Sequence, residues 1–243
     1  MKILKIIKEN KKELALHILL GTFVLLALIN IFKNETLGFI ENAFNFSLKH
    51  MGILALLKIT SAILPFSSGI EGLLDKIFNF FFVANVLIGM ELILIKLSVS
   101  VTIKIILVGL FITRFFYKKI TPLLLIFLFL NPGLNIYSRF IQSLSNEINE
   151  SINTKIEANI NSLKNNVGMG EVEIQEEEGI LSKFLDGIKA FSKDKIIAKL
   201  ESIAEGLNEM LFLSIQYMLN AIFLFSLMPL IYFVVMYKII KKL

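Results

Sequence analysis

Met210 to Tyr237 is a run of 28 residues without a charged side chain, in which Gln216 and Asn220 are the most polar groups. As a helix it would be ~42 Å long at ~1.5 Å per residue, more than the ~30 Å hydrocarbon core of a bilayer. Similar runs occupy Leu14 to Phe32 (broken mainly by His17, Thr22 and Asn30), Ile77 to Leu97, Val101 to Phe116 and Thr121 to Tyr137. A chain of 243 residues has too little interior to hide five such runs from solvent. Lipid is therefore the expected medium. The composition agrees: 56% of residues are hydrophobic, against about 45 to 50% in ordinary soluble domains.

The basic residues set a direction. Lys2 to Lys12, Arg114 with Lys118 and Lys119, and Lys238 with Lys241 and Lys242 flank the apolar runs, and the positive-inside tendency puts all three clusters in the cytoplasm. Five crossings cannot satisfy that. Counting Gly52 to Phe66 as membrane-embedded adds the missing passage, places both termini inside and leaves residues 138–209 extracytoplasmic. The alternative is a peripheral amphipathic helix at Leu37 to Leu64, which forces one or two basic clusters outward. The excess of basic residues lies beside the spans, since Ser138 to Glu209 carry 8 basic and 13 acidic residues. That distribution argues against nucleic-acid binding.

From Ile141 the apolar residues thin to one per turn: Ile141, Leu144, Ile148, Ile152, Ile156, Ile160, Leu163 and Val167. Their mean spacing is near 3.7, the mark of a helix with a narrow apolar stripe and little left-handed supercoil. Gly168 to Gly179, GMGEVEIQEEEG, ends it with glycines and like charges. A second amphipathic helix follows through Ile180, Leu185, Ile188 and Phe191, resumes after SKDK, and enters the last span. The expected fold is an all-α membrane protein: a multi-pass helical bundle with a long extramembrane antiparallel helical hairpin between the last two spans. Its parts are a membrane region (1–137), the hairpin (138–209), and the final span with its basic tail (210–243). The second arm carries more apolar surface than the first can cover, which points to a homo-oligomer or to the membrane surface.

Two groups of polar residues stand out within this apolar chain. Glu91 lies inside a span, where a charge costs ~2.5 to 3.5 kcal/mol on insertion scales. If the chain reverses near Leu97 and Ser98, Lys104 lies at similar depth and an ion pair Glu91–Lys104 explains both charges; a proton or ion relay through Glu91 is the sharper reading. Asn131, Asn135, Ser138 and Gln142 recur at spacings of 4, 3 and 4 on one helical face, and Gln216 and Asn220 share a face of the last span. Amide-to-amide bonding between these two stripes is the plain expectation, and a water path between subunits the sharper one.

Cysteine is absent, and no phosphate-binding, dinucleotide-binding, nucleophile-elbow or zinc-protease motif occurs. Ser67 with Glu71 and Asp75 offers a nucleophile and bases by residue type alone, in a loop of a commonplace kind. No enzymatic activity and no cofactor are expected. The reading that results is a channel or transport-related assembly of a bacterial inner membrane. The alternative is a non-conducting scaffold whose stalk recruits an envelope protein.

Overall fold

The computed structural model describes residues 2–61, 68–167 and 193–242. Among them no strand occurs. The helices are α1 (Lys2–Leu28), α2 (Lys33–Ser61), α3 (Ser68–Ser98), α4 (Val101–Phe116), α5 (Thr121–Leu128), α6 (Leu134–Val167), α7 (Lys193–Ile222) and α8 (Met228–Lys242). A short 3₁₀ turn, Lys118–Ile120, leads into α5, whose Thr-Pro start suits a helix N-terminus because proline needs no amide donor there. Wide π turns, Phe129–Gly133 and Phe223–Leu227, join α5 to α6 and α7 to α8.

Among the described residues, three stretches are long and apolar enough to cross a membrane: Ile70–Ser98, Lys118–Asn146 and Glu201–Lys241. Lys11–Leu28 of α1 and Lys33–Ile59 of α2 pass the same test together but are bent by 55° at the break between them, as in a broken span or a re-entrant loop. Only 28, 39 and 22% of the most apolar window in each of the three is buried within the protein. Most of their apolar surface therefore points outward, as Met90, Ile93 and Leu97 do on α3. Helix α4, with 16 residues, spans only ~24 Å at ~1.5 Å per residue.

The chain forms two compact units. The first comprises residues 1–42, 89–144 and 225–243. Its apolar core joins α1, α4 and α5 through Leu20, Val24, Ile103, Leu107, Leu124 and Leu128. Helices α1 and α4 run antiparallel in constant register, with His17 opposite Arg114, Gly21 opposite Phe111 and Leu28 opposite Lys104. Just after α4, Lys118 pairs with Glu13 of α1.

The second unit comprises residues 43–88 and 145–224. Parts of α2, α3, α6 and α7 share it. Phe81 is fully buried beside His50 and Tyr217, Ser47 donates to the Phe81 carbonyl (3.1 Å), and Tyr217 donates to the Ala43 carbonyl (3.3 Å). Lys49 reaches Glu157 at 4.0 Å. Leu163 of α6 fits against Gly206 of α7, where a Cβ would come within 2.9 Å of it.

The buried residues of α3 are Ile70, Leu74, Ile77, Phe81, Ala84, Ile88, Glu91, Ile95 and Ser98. They alternate in steps of four and three, the 3.5-residue seam of a helix that keeps one narrow face inward. Glu91 occupies a core position of that seam. On α6 the expected stripe is inward at Ile141, Ile156, Ile160 and Leu163, and half-buried at Leu144 and Ile152. The sequence-predicted second arm at 180–191 and the glycine-rich turn at 168–179 lie outside the described residues, as do Ala62 to Phe66 of the additional passage.

The predicted first span differs from the structure. Its helix stops at Leu28, not Phe32; the chain turns through Ile29 to Phe32, with Asn30 and Phe32 at φ of 53° and 59°, and restarts at Lys33. Asparagine tolerates the left-handed region, whereas for phenylalanine it is strained and held only by its surroundings.

Candidate functional site

The interruptions of the helices gather polar groups in the first unit. Asn131 leaves the helical conformation altogether, at φ −144° and ψ 118°, and the following Pro132 has no amide hydrogen to give to the preceding turn. The loosened carbonyl of Phe129 accepts the Tyr232 hydroxyl at 2.6 Å. Asn131 is fully buried, and its amide nitrogen donates to the Ala27 carbonyl at the end of α1 (3.4 Å). Lys104 also donates to that end, at the Leu28 carbonyl (3.1 Å), where a cation complements the exposed carbonyls of a helix C-terminus. The breaks after α1, before α4 and after α5 are thus cross-linked by side chains. Gly133 makes the arrangement close: a Cβ there would collide with the Tyr232 hydroxyl and lie 3.1 Å from the Leu128 carbonyl. Gly133→Ala is expected to cost about 1–3 kcal/mol through overpacking, read as a lower unfolding temperature of the purified protein in detergent.

One turn on, Asn135 is fully buried. Its amide nitrogen approaches Asn131 Oδ1 (3.5 Å), its carbonyl accepts from Thr36 (3.4 Å), and its own Oδ1 has no donor. Ser138 follows on the same face, 2% exposed, and lies beside the carboxyl of Glu91, 4% exposed. The adjacent Tyr137 lies within the field of Glu91, stacks on Tyr232 with ring centroids 4.8 Å apart, and has an unsatisfied buried hydroxyl. Glu91 and Ser138 place a buried carboxyl beside a buried hydroxyl in an otherwise apolar part of the protein.

This geometry corrects two sequence-based expectations. Glu91 and Lys104 do not pair. Lys104, on the helix that starts after the break at Val99 and Ser100, reaches the end of α1, whereas Glu91 lies against Ser138 of α6. Nor do Asn131 and Asn135 bond to the amides of the last span; they use the Ala27 carbonyl and each other. Gln216 and Asn220 belong to the second unit, both half-buried. Gln142 is half-buried and accepts from Arg139 at 2.6 Å.

Other constellations have simpler roles. Arg114 is 2% exposed, with Nη1 2.8 Å from His17 Nδ1 and Nε donating to Thr121 (3.0 Å), so it staples α1, α4 and α5. In the sequence His17 only interrupts an apolar run; its partner on α4 gives it a role. A cavity of about 130 Å³ in the second unit is lined by Lys49, His50, Glu157 and Lys164, of which Lys49 and Glu157 balance each other. Asp75 pairs with Lys58 (2.5 Å) and is not free to act as a base. No group of three or more metal-binding side chains occurs among the described residues. No family model, no curated protein and no solved structure matches this chain, and the chemistry of the site is therefore read from its own residues.

Proposed function

We propose that the chain is a multi-pass protein of a bacterial-type inner membrane that carries a small ion, as part of a channel or transport-related homo-oligomer. The observation that carries this reading is the meeting of broken helices with a buried carboxylate. Non-helical backbone at membrane depth is tolerated where protein or a watery cavity receives its polar groups. Discontinuous helices with free carbonyls and an intramembrane acid are the means by which many transporters hold ions. The antiparallel register of α1 and α4 supports the orientation, since it brings two of the three basic clusters to one side, the cytoplasmic one. Both termini are then inside, and residues 138–209 reach the other face.

The deep burial of Asn131 and Asn135 argues against a pore lined by the amide stripe between subunits. It favours an ion path within each protomer. The same burial supports a second reading, a non-conducting scaffold whose stalk engages an envelope protein. Reconstitution in liposomes separates the two. Under an imposed gradient of a salt or of protons, the transport reading expects ion movement at least tenfold above empty vesicles. Monodisperse, correctly inserted protein with no movement of any ion would establish the scaffold instead.

A further inference from the structure

We infer that one end of the first unit is a docking surface for the headgroups of anionic phospholipids, built from all three basic clusters together. The inference rests on the membrane placement of the chain and not on ion transport. Three observations support it.

The first is convergence. Glu13 pairs with Lys118, which sets Lys11 and Lys12 of α1 beside the turn that carries Lys118 and Lys119. The third cluster arrives on α8. Tyr232 donates to the Phe129 carbonyl at the end of α5, and Ile240 packs on the core shared by α1, α4 and α5, so α8 runs back along α5. The eight residues from Tyr232 to Ile240 cover the same ~12 Å as the eight from Phe129 to Thr121, at ~1.5 Å per residue. Lys238 and Lys241 therefore reach the level of Thr121, next to the turn of Lys118 and Lys119.

The second is charge. Lys11, Lys12, Lys118, Lys119, Lys238 and Lys241 are all exposed. Among the described side chains of the first unit, Glu13 is the acid that offsets them. Glu41 pairs with Lys96, Glu91 is buried in the α3 seam, and Glu35 lies past the break at the far end of α1. The excess calls for an anionic partner.

The third is the apolar rim beside these lysines. Phe116 is 88% exposed, and the exposed Tyr117 and Tyr237 stand directly before Lys118 and Lys238. Tyrosine favours the boundary between hydrocarbon and water, so a lysine one residue further on lies at the level of the lipid phosphates. Rings for acyl chains and ammonium groups for phosphates suit a phospholipid better than a free anion. The turn is also held firmly: the buried Arg114 donates to Thr121, whose hydroxyl donates to the Lys118 carbonyl (2.7 Å).

The test is thermal unfolding of the purified full-length protein in uncharged detergent, titrated with short-chain phosphatidylglycerol, and with phosphatidylcholine of the same chain length or inorganic phosphate in parallel. A ligand that binds only the folded state raises stability with its concentration. The expected result is a saturable rise with phosphatidylglycerol alone, weakened by added salt because exposed charges are screened. Each basic residue near an anionic leaflet is worth about fivefold in affinity, so Lys119→Gln with Lys241→Gln should weaken the rise at least tenfold. Both lysines are exposed, and their loss leaves the packing intact. Lys76→Gln with Lys155→Gln removes the same charge from exposed positions of the second unit and should change the affinity less than twofold. An equal rise with phosphatidylcholine, an equal rise with inorganic phosphate, or equal losses in the two double variants would each overturn the inference, as would no rise at all. Insertion into liposomes is a separate readout: inserted protein without preference for phosphatidylglycerol removes this surface alone, whereas a chain that does not insert removes the membrane reading with it.

Discussion

Glu91→Gln will reduce ion movement in liposomes at least tenfold while leaving the protein folded, and Lys104→Met will leave that movement within about twofold of wild type. The expectation follows from where the two side chains lie. Glutamine keeps the shape of Glu91 but removes the charge that an ion must meet, and it removes a carboxylate whose burial costs ~2.5 to 3.5 kcal/mol on insertion scales. Without salt, therefore, Glu91→Gln should be no less stable than wild type. Lys104 contributes a hydrogen bond to the end of α1, at the Leu28 carbonyl, and its loss should cost about 0.5–1.5 kcal/mol. The double variant separates this arrangement from an ion pair. Breaking a buried pair from one side costs about 3–5 kcal/mol, and removing both partners restores much of it. Independent sites instead add within about 0.5 kcal/mol. Unfolding temperatures of the four proteins should show additivity, and rescue of one substitution by the other would reinstate the pair.

How much of this was legible in the sequence depends on which physical signal each element carries. Val101–Phe116 reads at its true bounds because a serine N-cap precedes it and an extended Tyr117 ends it. The break in Phe129–Gly133 is announced by Asn131, Pro132 and Gly133. The break after Leu28 is not: Ile29 to Phe32 contain no glycine or proline, only Asn30, and the turn is fixed by tertiary contacts such as those of Asn131 and Lys104 with the end of α1. That unsignalled turn explains the misplaced ion pair, since it presents the Leu28 carbonyl that Lys104 takes in place of Glu91. The apolar residues around Glu91 carry a signal of their own: Ile77, Phe81, Ala84, Ile88, Glu91 and Ile95 form one seam, and its polar member faces inward. The amide stripe was visible as spacing. Its partners were not, because a hydrogen bond to a carbonyl at the end of another helix leaves no mark in either sequence segment.

The amide stripe also yields the second large expected effect. Asn131→Leu with Asn135→Leu should destabilise the protein by about 2–5 kcal/mol, from the loss of two buried hydrogen bonds and from the Ala27 carbonyl left without its donor. Average side-chain hydrogen bonds in membrane helices are worth only ~0.6 kcal/mol, because the unfolded chain in lipid also finds partners. Here the larger figure applies, since Asn131 lies where the backbone itself has left the helix and its nitrogen holds α1 to the break. A water-lined stripe behaves differently: leucines there dry a constriction and stop conduction while the assembly stays intact, as hydrophobic gates do. Unfolding temperature and ion movement measured on the same preparation separate the two. A fall in stability of the stated size, with any residual ion movement scaling with the folded fraction, is the outcome expected of a stripe that holds broken helices together. Unchanged stability with conduction abolished would mean that Asn131 and Asn135 face water, and the ion path would then run along the amides.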